Sequence, residues 1–194
     1  HGGWTRDTLL STMSAMSTYP TPPSLTLPIV PYGVAGYQFG QRLRRHLILW
    51  MTHLGEDIVA APDTAVRSSG DGQVVYAGAR PGSATARNWG GLIIVGHTHR
   101  ITSQPFYTVY GHLYRLAVRA NDSVKAGQAM AQIAPGSTPD NGWWQTPHLH
   151  FAIYTGPWTG AVLPGYWRLT RPWHTRRRWW LPPQKFIAEY NQRV

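Results

Sequence analysis

The sequence has no cysteine, two lysines and eight acidic residues in 194. Without a thiol there is no disulfide framework, no thiolate metal ligand and no cysteine nucleophile. No apolar run approaches the roughly 18 residues of a membrane span, so no transmembrane segment is expected. The longest compact run, 46–51, has only strand length. Charged residues make up 13% of the chain, about half the usual share, and no heptad pattern supports a coiled coil or helical bundle. Gly 20, Pro 16, Trp 10 and Tyr 10 take their place. That mixture suits short strands joined by many turns. The length is that of one domain with trimmings and suffices for a true hydrophobic core.

Eighteen Lys+Arg against eight Asp+Glu give a net charge of +10. Only Lys125 and Lys185 are lysines, so the charge is almost entirely guanidinium. Such a surface attracts anionic polymers, whether nucleic acid, acidic lipid or bacterial wall. No nucleic-acid-binding motif accompanies the charge, and the arginines cluster late, so no nucleic-acid partner is expected. The chain opens on His1 rather than Met and reads as processed or cut from something longer.

Residues 1–18 have weak periodicity, with a short helix expected from Asp7 to Met16. Pro20, Pro22, Pro23, Pro28 and Pro31 mark an extended, surface-hugging lead-in rather than a core element. Beyond Tyr37 the pattern changes. The segments Gln73–Ala77, Leu92–Val95, Phe106–Tyr110 and His148–Tyr154 are short and rich in β-branched and aromatic residues, and turn signals such as Gly70-Asp71-Gly72 and Asn141-Gly142 bound them. Their spacing predicts an all-β, mainly antiparallel sandwich or half-barrel with short peripheral helices. Asn121–Gln128 reads as two tight turns around a short strand, and Gln184–Val194 as a short helix.

Histidine spacing carries the chemistry. His53-Leu-Gly-Glu-Asp57 sets an imidazole and a carboxylate four apart, with Gly55 permitting a sharp turn between them. His148-Leu-His150 sets two imidazoles two apart, so in a strand both rings face one side while Leu149, Phe151 and Ile153 face the other. A catalytic zinc takes three N or O ligands and keeps a fourth position for water. His53, Asp57 and one of His148 and His150 meet that rule. The histidine left over would sit where a base is needed. His112 follows Gly111 at a strand end and is placed to reach the same mouth. Glu56 is turned away by strand alternation and reads as structural. His99 reads as a solvated loop residue rather than a neighbour of the ligands.

In order along the chain, Tyr37–Arg42, His53-Leu-Gly-Glu-Asp-Ile58, Gly70–Ala77, Trp89–His97, Thr108-Val-Tyr-Gly-His-Leu113, Val124–Gln128 and Pro147-His-Leu-His-Phe151 resemble the signature of the lysostaphin/LytM-type zinc metallopeptidases. These enzymes cut peptide bonds in bacterial peptidoglycan. The resemblance runs from about residue 27 to 154. It implies a duplicated-hybrid β fold, one Zn2+ held by His53, Asp57 and His150, His148 as general base, and His112 assisting at the water or the oxyanion. It implies stem peptides or cross-bridges as substrate, an extracellular or cell-envelope setting that includes phage-borne enzymes, and a monomer. The organisation expected is a Pro-rich arm over 1–32, a catalytic domain over 33–156 and a Trp/Arg-rich extension over 157–194, packed on that domain. Residues 79–88 and 97–106 read as longer loops than the shortest relatives carry, and the arm and the extension have no counterpart there. Within the extension, Arg176, Arg177, Arg178, Trp179 and Trp180 could hold an anionic wall polymer, or could simply pack. A non-catalytic wall-binding or hydrolase-activator module is the alternative reading. A biotinyl- or lipoyl-type carrier is disfavoured because Lys125 sits inside a turn motif rather than at a hairpin tip.

Overall fold

The structure, a computed structural model, describes residues 19–44, 50–168 and 175–192. The helix expected at Asp7–Met16, His1 and part of the 46–51 run lie outside the described residues. In chain order the strands are β1 (Arg42–Arg44), β2 (Trp50–His53), β3 (Glu56–Val59), β4 (Ala65–Arg67), β5 (Gly72–Arg80), β6 (Gly90–Thr98), β7 (Pro105–Tyr114), β8 (Ser123–Val124), β9 (Ala129–Ile133), β10 (His148–Tyr154), β11 (Tyr166–Trp167) and β12 (Trp180–Leu181). Among the described residues a 3-10 turn (Arg177–Trp179) precedes β12, and the α-helix α1 (Pro183–Gln192) follows it. The four strands read from the sequence are the cores of β5, β6, β7 and β10. The short strand after Asn121 is β8, and the expected C-terminal helix is α1.

All strand pairs are antiparallel. β10 is the hub of a nine-stranded sheet. It pairs with β7 on one edge, and with β3 and then β12 on the other. The sheet continues through β6 and β5 to β8, while β9 joins the end of β7 to β4. A separate sheet of order β1-β2-β11 stands beside it. The turn at Gly55 carries the chain from one sheet to the other, which puts His53 on the small sheet and Asp57 on the large one.

Alternation along the strands divides the interior into two layers. Leu149, Phe151 and Ile153 pack with Ile93, Val95, Phe106 and Tyr110, under a cover that includes Val66, Met130 and helix residues Phe186 and Ile187. On the opposite face Ala152 and Tyr154 pack with Leu92, Ile94, Tyr107 and Val109. At their open end this second layer gives way to the histidines.

The lead-in before β1 is more integral than the sequence suggests. The Pro-rich lead-in is extended, yet Leu25 and Ile29 are 2% and 3% exposed within the main core. Proline denies such a segment regular ladder bonding but leaves the apolar residues between prolines free to be buried. The Asn191 side chain clasps Leu25 through both its backbone groups, at 2.9 and 2.8 Å, and the Tyr190 hydroxyl donates to the Pro22 carbonyl at 2.7 Å. In the late Trp/Arg stretch, Trp180 is 3% exposed and lies 4.9 Å from Tyr154 between ring centroids, while Trp179 packs beside Gly156. Trp180 is therefore no platform for sugars. Arg176, Arg177 and Arg178 remain exposed.

His97 is fully buried in the main-core layer, away from the histidines around Asp57. Its Nδ1 faces the Asp71 carbonyl at 2.8 Å, its Nε2 faces the Thr108 hydroxyl at 2.9 Å, and the ring stacks on Phe106. Burial pushes its pKa down to about 4, against the pull of the Asp71 carbonyl. The unfolded chain, with an ordinary value near 6.5, binds this proton first as pH falls. Stability contributed by neutral His97 is then lost between about pH 6.5 and 4, by about 3 kcal/mol at the lower limit. Urea titrations across this range should show that loss, with a flatter pH slope in His97→Gln, which keeps a donor and an acceptor. Equal slopes in the two proteins would refute the assignment.

Candidate metal centre

His150 sits opposite Asp57 across the β3–β10 ladder, and His53 enters from the small sheet, where its backbone pairs with Tyr166. Their three donor atoms form a tight triangle. His53 Nε2 lies 3.0 Å from His150 Nδ1 and 3.2 Å from Asp57 Oδ1, and His150 Nδ1 lies 3.0 Å from the same oxygen. A tetrahedral zinc spaces its ligand atoms about 3.3–3.6 Å apart, given bonds of about 2.0–2.2 Å. The triangle is thus slightly contracted from that geometry. His53, Asp57 and His150 form the group of metal-ligating type among the described residues.

The proton inventory supports a cation. His53 Nδ1 faces the Gln38 carbonyl at 3.1 Å, so this nitrogen carries the proton. In its neutral form the ring then presents a lone pair at Nε2, toward a carboxylate oxygen that is itself acceptor-only. With both rings neutral and no cation, a single shared proton on His150 Nδ1 serves all three atoms. A divalent ion gives each lone pair its own partner. Burial would raise the Asp57 pKa, but the imidazole contacts from His150 and His53 outweigh it and hold the carboxyl well below the usual range. Burial pushes His150 down to about 4, which leaves it in the neutral form that metals require.

Gly55 is dictated by close approach. A Cβ there would lie 2.6 Å from both His150 Nε2 and the Phe151 carbonyl. Tyr166 packs on His53 with ring centroids 5.2 Å apart, and Trp89 meets His150 edge-on at 5.0 Å. The Trp89 indole donates to the Leu163 carbonyl at 3.0 Å, which fixes its position.

His148 projects from the same strand face as His150. Its Nδ1 lies 2.7 Å from the Thr146 carbonyl and donates to it, which in the neutral ring leaves the lone pair on Nε2, 3.8 Å from Asp57 Oδ2. His112 reaches the site by an irregularity. Gly91 pairs with Leu113 while Leu92 pairs with Gly111, which makes His112 an extra residue in the β6–β7 ladder. Its φ is +67°, a left-handed conformation that costs energy outside glycine. In a regular strand His112 would follow Tyr110 into the opposite layer. The bulge instead brings its ring 4.5 Å from that of His148, between centroids. Backbone bonds from His112 to Trp89 and from Ala134 to His112 hold the bulge. Burial, and then the neighbouring His148 and His150, drive the His112 pKa well down.

Two cavities flank these histidines. One of about 330 Å³ is lined by residues that include Trp89, His112, His150, Pro164 and Tyr166. The other, of about 500 Å³, is lined by residues that include Gly36, Tyr37, Asp57, Thr146 and His148. Arg87 and Trp144 line both. The structure thus brings His53, Asp57, His112, His148 and His150 together. Glu56 faces the other layer and accepts a 2.6 Å hydrogen bond from Tyr32. His99 lies across the sheet, against Phe106, Phe186 and Tyr190. The roles of Trp89, Trp144 and Tyr166, and of the Gln38 and Thr146 carbonyls, were not read from the sequence. Nearness to His-x-His along the chain was an available signal for Trp144. A backbone carbonyl leaves none.

The profile described as Peptidase family M23 matches residues 51–161, more than half of the chain. Among curated proteins, the chain is 30% identical over 113 residues to DD-carboxypeptidase/endopeptidase Mpg of Neisseria meningitidis, covering 58% of this chain and 22% of that protein. It is 34% identical over 99 residues to Murein hydrolase activator NlpD of Escherichia coli, covering 51% and 22%. The chain therefore spans about a fifth of the length of these relatives. Among solved structures, lysostaphin of Staphylococcus simulans superposes with a TM-score of 0.55 at 22% identity, covering 84% of this chain and 53% of that one. A zinc-containing peptidase from Vibrio cholerae gives 0.53 at 22% identity, covering 68% and 37%. At those identities the likeness is one of fold, and the matched span contains every residue of the histidine–aspartate cluster: the chain belongs to peptidase family M23.

Proposed function

We propose that this chain is a zinc-dependent endopeptidase acting on the peptide cross-links or bridges of bacterial peptidoglycan at the cell envelope or outside the cell. The observation that carries this reading is the triangle of His53 Nε2, Asp57 Oδ1 and His150 Nδ1, with the free Nε2 of His148 beside it. A zinc ion held by those three residues supplies Lewis acidity, for polarising a carbonyl and acidifying water. His148 Nε2 takes a proton from the attacking water, because its other nitrogen is committed to the Thr146 carbonyl. The water oxygen joins the carbonyl carbon, the C–N bond breaks, and the proton held by His148 passes to the leaving nitrogen. Neutral His112 offers a ring N–H to the developing oxyanion. Trp89, packed against both His112 and His150, keeps these rings in place and excludes water behind them.

The second reading is a non-catalytic activator, favoured by the likeness to a protein named as a murein hydrolase activator. A complete ligand set and a positioned base favour the enzyme. We further assign the exposed Arg176, Arg177 and Arg178 to electrostatic attraction toward an anionic wall, and the segments 1–32, 33–156 and 157–194 to arm, catalytic unit and packed extension, in a chain acting as a monomer.

Purified protein should bind one zinc per chain, lose peptide cleavage with a chelator and regain it with zinc. Asp57→Ala and His150→Ala should each weaken zinc binding by about 100-fold or more, read by competition with a chromogenic chelator. Retained activity in either variant defeats the assignment. His148→Ala should keep its zinc and lose about 10²- to 10⁴-fold in kcat; an unchanged kcat rules out His148 as base. Replacing Arg176, Arg177 and Arg178 together by Ala should reduce pelleting with purified sacculi at low salt and flatten its salt dependence. Pelleting identical to the parent's would leave these arginines without a role in wall attraction.

A further inference from the structure

Helix α1 lacks a cap of its own. Pro182 and Pro183 stand at its start, neither with a side-chain acceptor, and its first turn carries no acidic residue. Its leading N–H groups therefore need an acceptor from elsewhere. β3 supplies one. The Gln184 backbone N–H donates to the Glu56 carboxylate, which also takes the 2.6 Å bond from the Tyr32 hydroxyl. Glu56 is 7% exposed, and a carboxylate so buried needs such partners. The positive end of a helix suits its charge as well. Helix and carboxylate thus complete each other across the main core.

Glu56 opens β3 and Asp57 follows it, opposite Phe151 and His150 in the ladder. Whatever holds Glu56 therefore holds the strand end that aims Asp57. A second route runs through the lead-in. Tyr32 meets Phe151 edge-on, with ring centroids 6.4 Å apart. Farther along, the same segment bonds the candidate ligands themselves. The Gly36 N–H donates to the Asp57 carbonyl at 3.1 Å, the Asp57 N–H donates to the Tyr37 carbonyl at 2.9 Å, and the Gln38 carbonyl faces His53 Nδ1. Gly36 permits this approach, since a Cβ there would lie 2.7 Å from that of Asp57. The far end of α1 grips the lead-in through Asn191 and Tyr190. Helix, lead-in and ligand strand form a closed ring of contacts, and Glu56 is the joint that all three share.

We propose that Glu56 is a positioning residue for the metal centre, and that docking of α1 and binding of the metal reinforce each other through it. This rests on the reading of His53, Asp57 and His150 as ligands, and is independent of which bond the chain cuts. Glu56 touches neither metal nor substrate, because its side chain lies on the face of β3 opposite to that of Asp57. Without this joint the strand end is freer, and gathering three donors around one ion costs more order. By linkage, the factor by which a loosened helix weakens metal binding is also the factor by which the metal favours the docked helix.

The test measures zinc affinity of the full chain by competition with a chromogenic chelator. Glu56→Leu leaves Gln184 and Tyr32 without their acceptor and should raise the zinc Kd about tenfold. Glu56→Gln and Tyr32→Phe each remove part of the joint and should fall between that variant and the parent. With Co2+ as the probe, the visible bands of Glu56→Leu should differ from those of the parent. Amide exchange at Phe186 and Ile187 should slow about tenfold when zinc is added to the parent, and should not respond to zinc in Glu56→Leu. Val74→Ala opens the buried core on β5, outside the ring of contacts, and controls for lost stability alone; it should bind zinc as the parent does. Parent-like zinc affinity in Glu56→Leu, an equal loss in Val74→Ala, or helix exchange that ignores zinc in the parent would each overturn the proposal. Should Glu56→Leu not fold, Glu56→Gln and Tyr32→Phe carry the same comparison with the same outcomes. A parent that binds no zinc overturns the ligand reading and the proposal together, whereas a parent that binds zinc beside unaltered variants overturns the proposal alone.

Discussion

His150 and Asp57 are direct partners across the β3–β10 ladder, with donor atoms 3.0 Å apart, so the register of two strands is also the geometry of the site. A slip of one residue would turn His148 and His150 into the apolar layer and bring Leu149 and Phe151 to the groove. That slip is opposed by the whole core, because Leu149, Phe151 and Ile153 are fully buried and fill the main cluster. Hydrophobic burial on one face thereby enforces polar geometry on the other. The same coupling explains the place of β10 at the centre of the sheet, bonded along both edges. Side chains on so constrained a strand have little freedom to drift from one another.

The electrostatics follow from a shortage of negative charge. One carboxylate faces four imidazoles in a buried cluster, and burial favours the neutral form of His112 and His150. Neutral imidazoles are ligands and bases; protonated ones are neither. Backbone carbonyls then settle which nitrogen is free. The Gln38 carbonyl accepts a hydrogen bond from His53 Nδ1 and the Thr146 carbonyl one from His148 Nδ1, so that each neutral ring directs its lone pair inward. Glu56, the nearest other carboxylate along the chain, is kept in the opposite layer by strand alternation and bound to Tyr32.

Around this centre the loops are joined to each other as well as to the sheet. Trp144, Asn88 and Gly142 connect two loops over the groove, and Trp89 links a third segment through the Leu163 carbonyl. The basic, aromatic character of the composition is thus resolved into two uses. Some aromatics, such as Trp180 and Trp158, cover the second core layer. Others, Trp144 and Tyr166, form the wall of the groove and carry Arg87 upon it.

Much of this was legible along the chain. Two-residue periodicity with buried aliphatics marked β5, β6, β7 and β10, and the same periodicity put His148 and His150 on one face and Glu56 on the other. The spacing His53–Asp57 across a glycine announced a turn between two ligands. These features are local, and local sterics fix them. The choice of His150 over His148 as candidate ligand came from resemblance, because alternation treats the two alike; in space it is His150 that lies opposite Asp57. The bulge that turns His112 into the site, the burial of Leu25 and Ile29, the loss of Trp180 to the core and the stacking of Arg87 on Trp144 belong to the tertiary structure. Each depends on which distant segment lies opposite, and a linear pattern records the preference of a residue for water or for neighbours but not the identity of the neighbour.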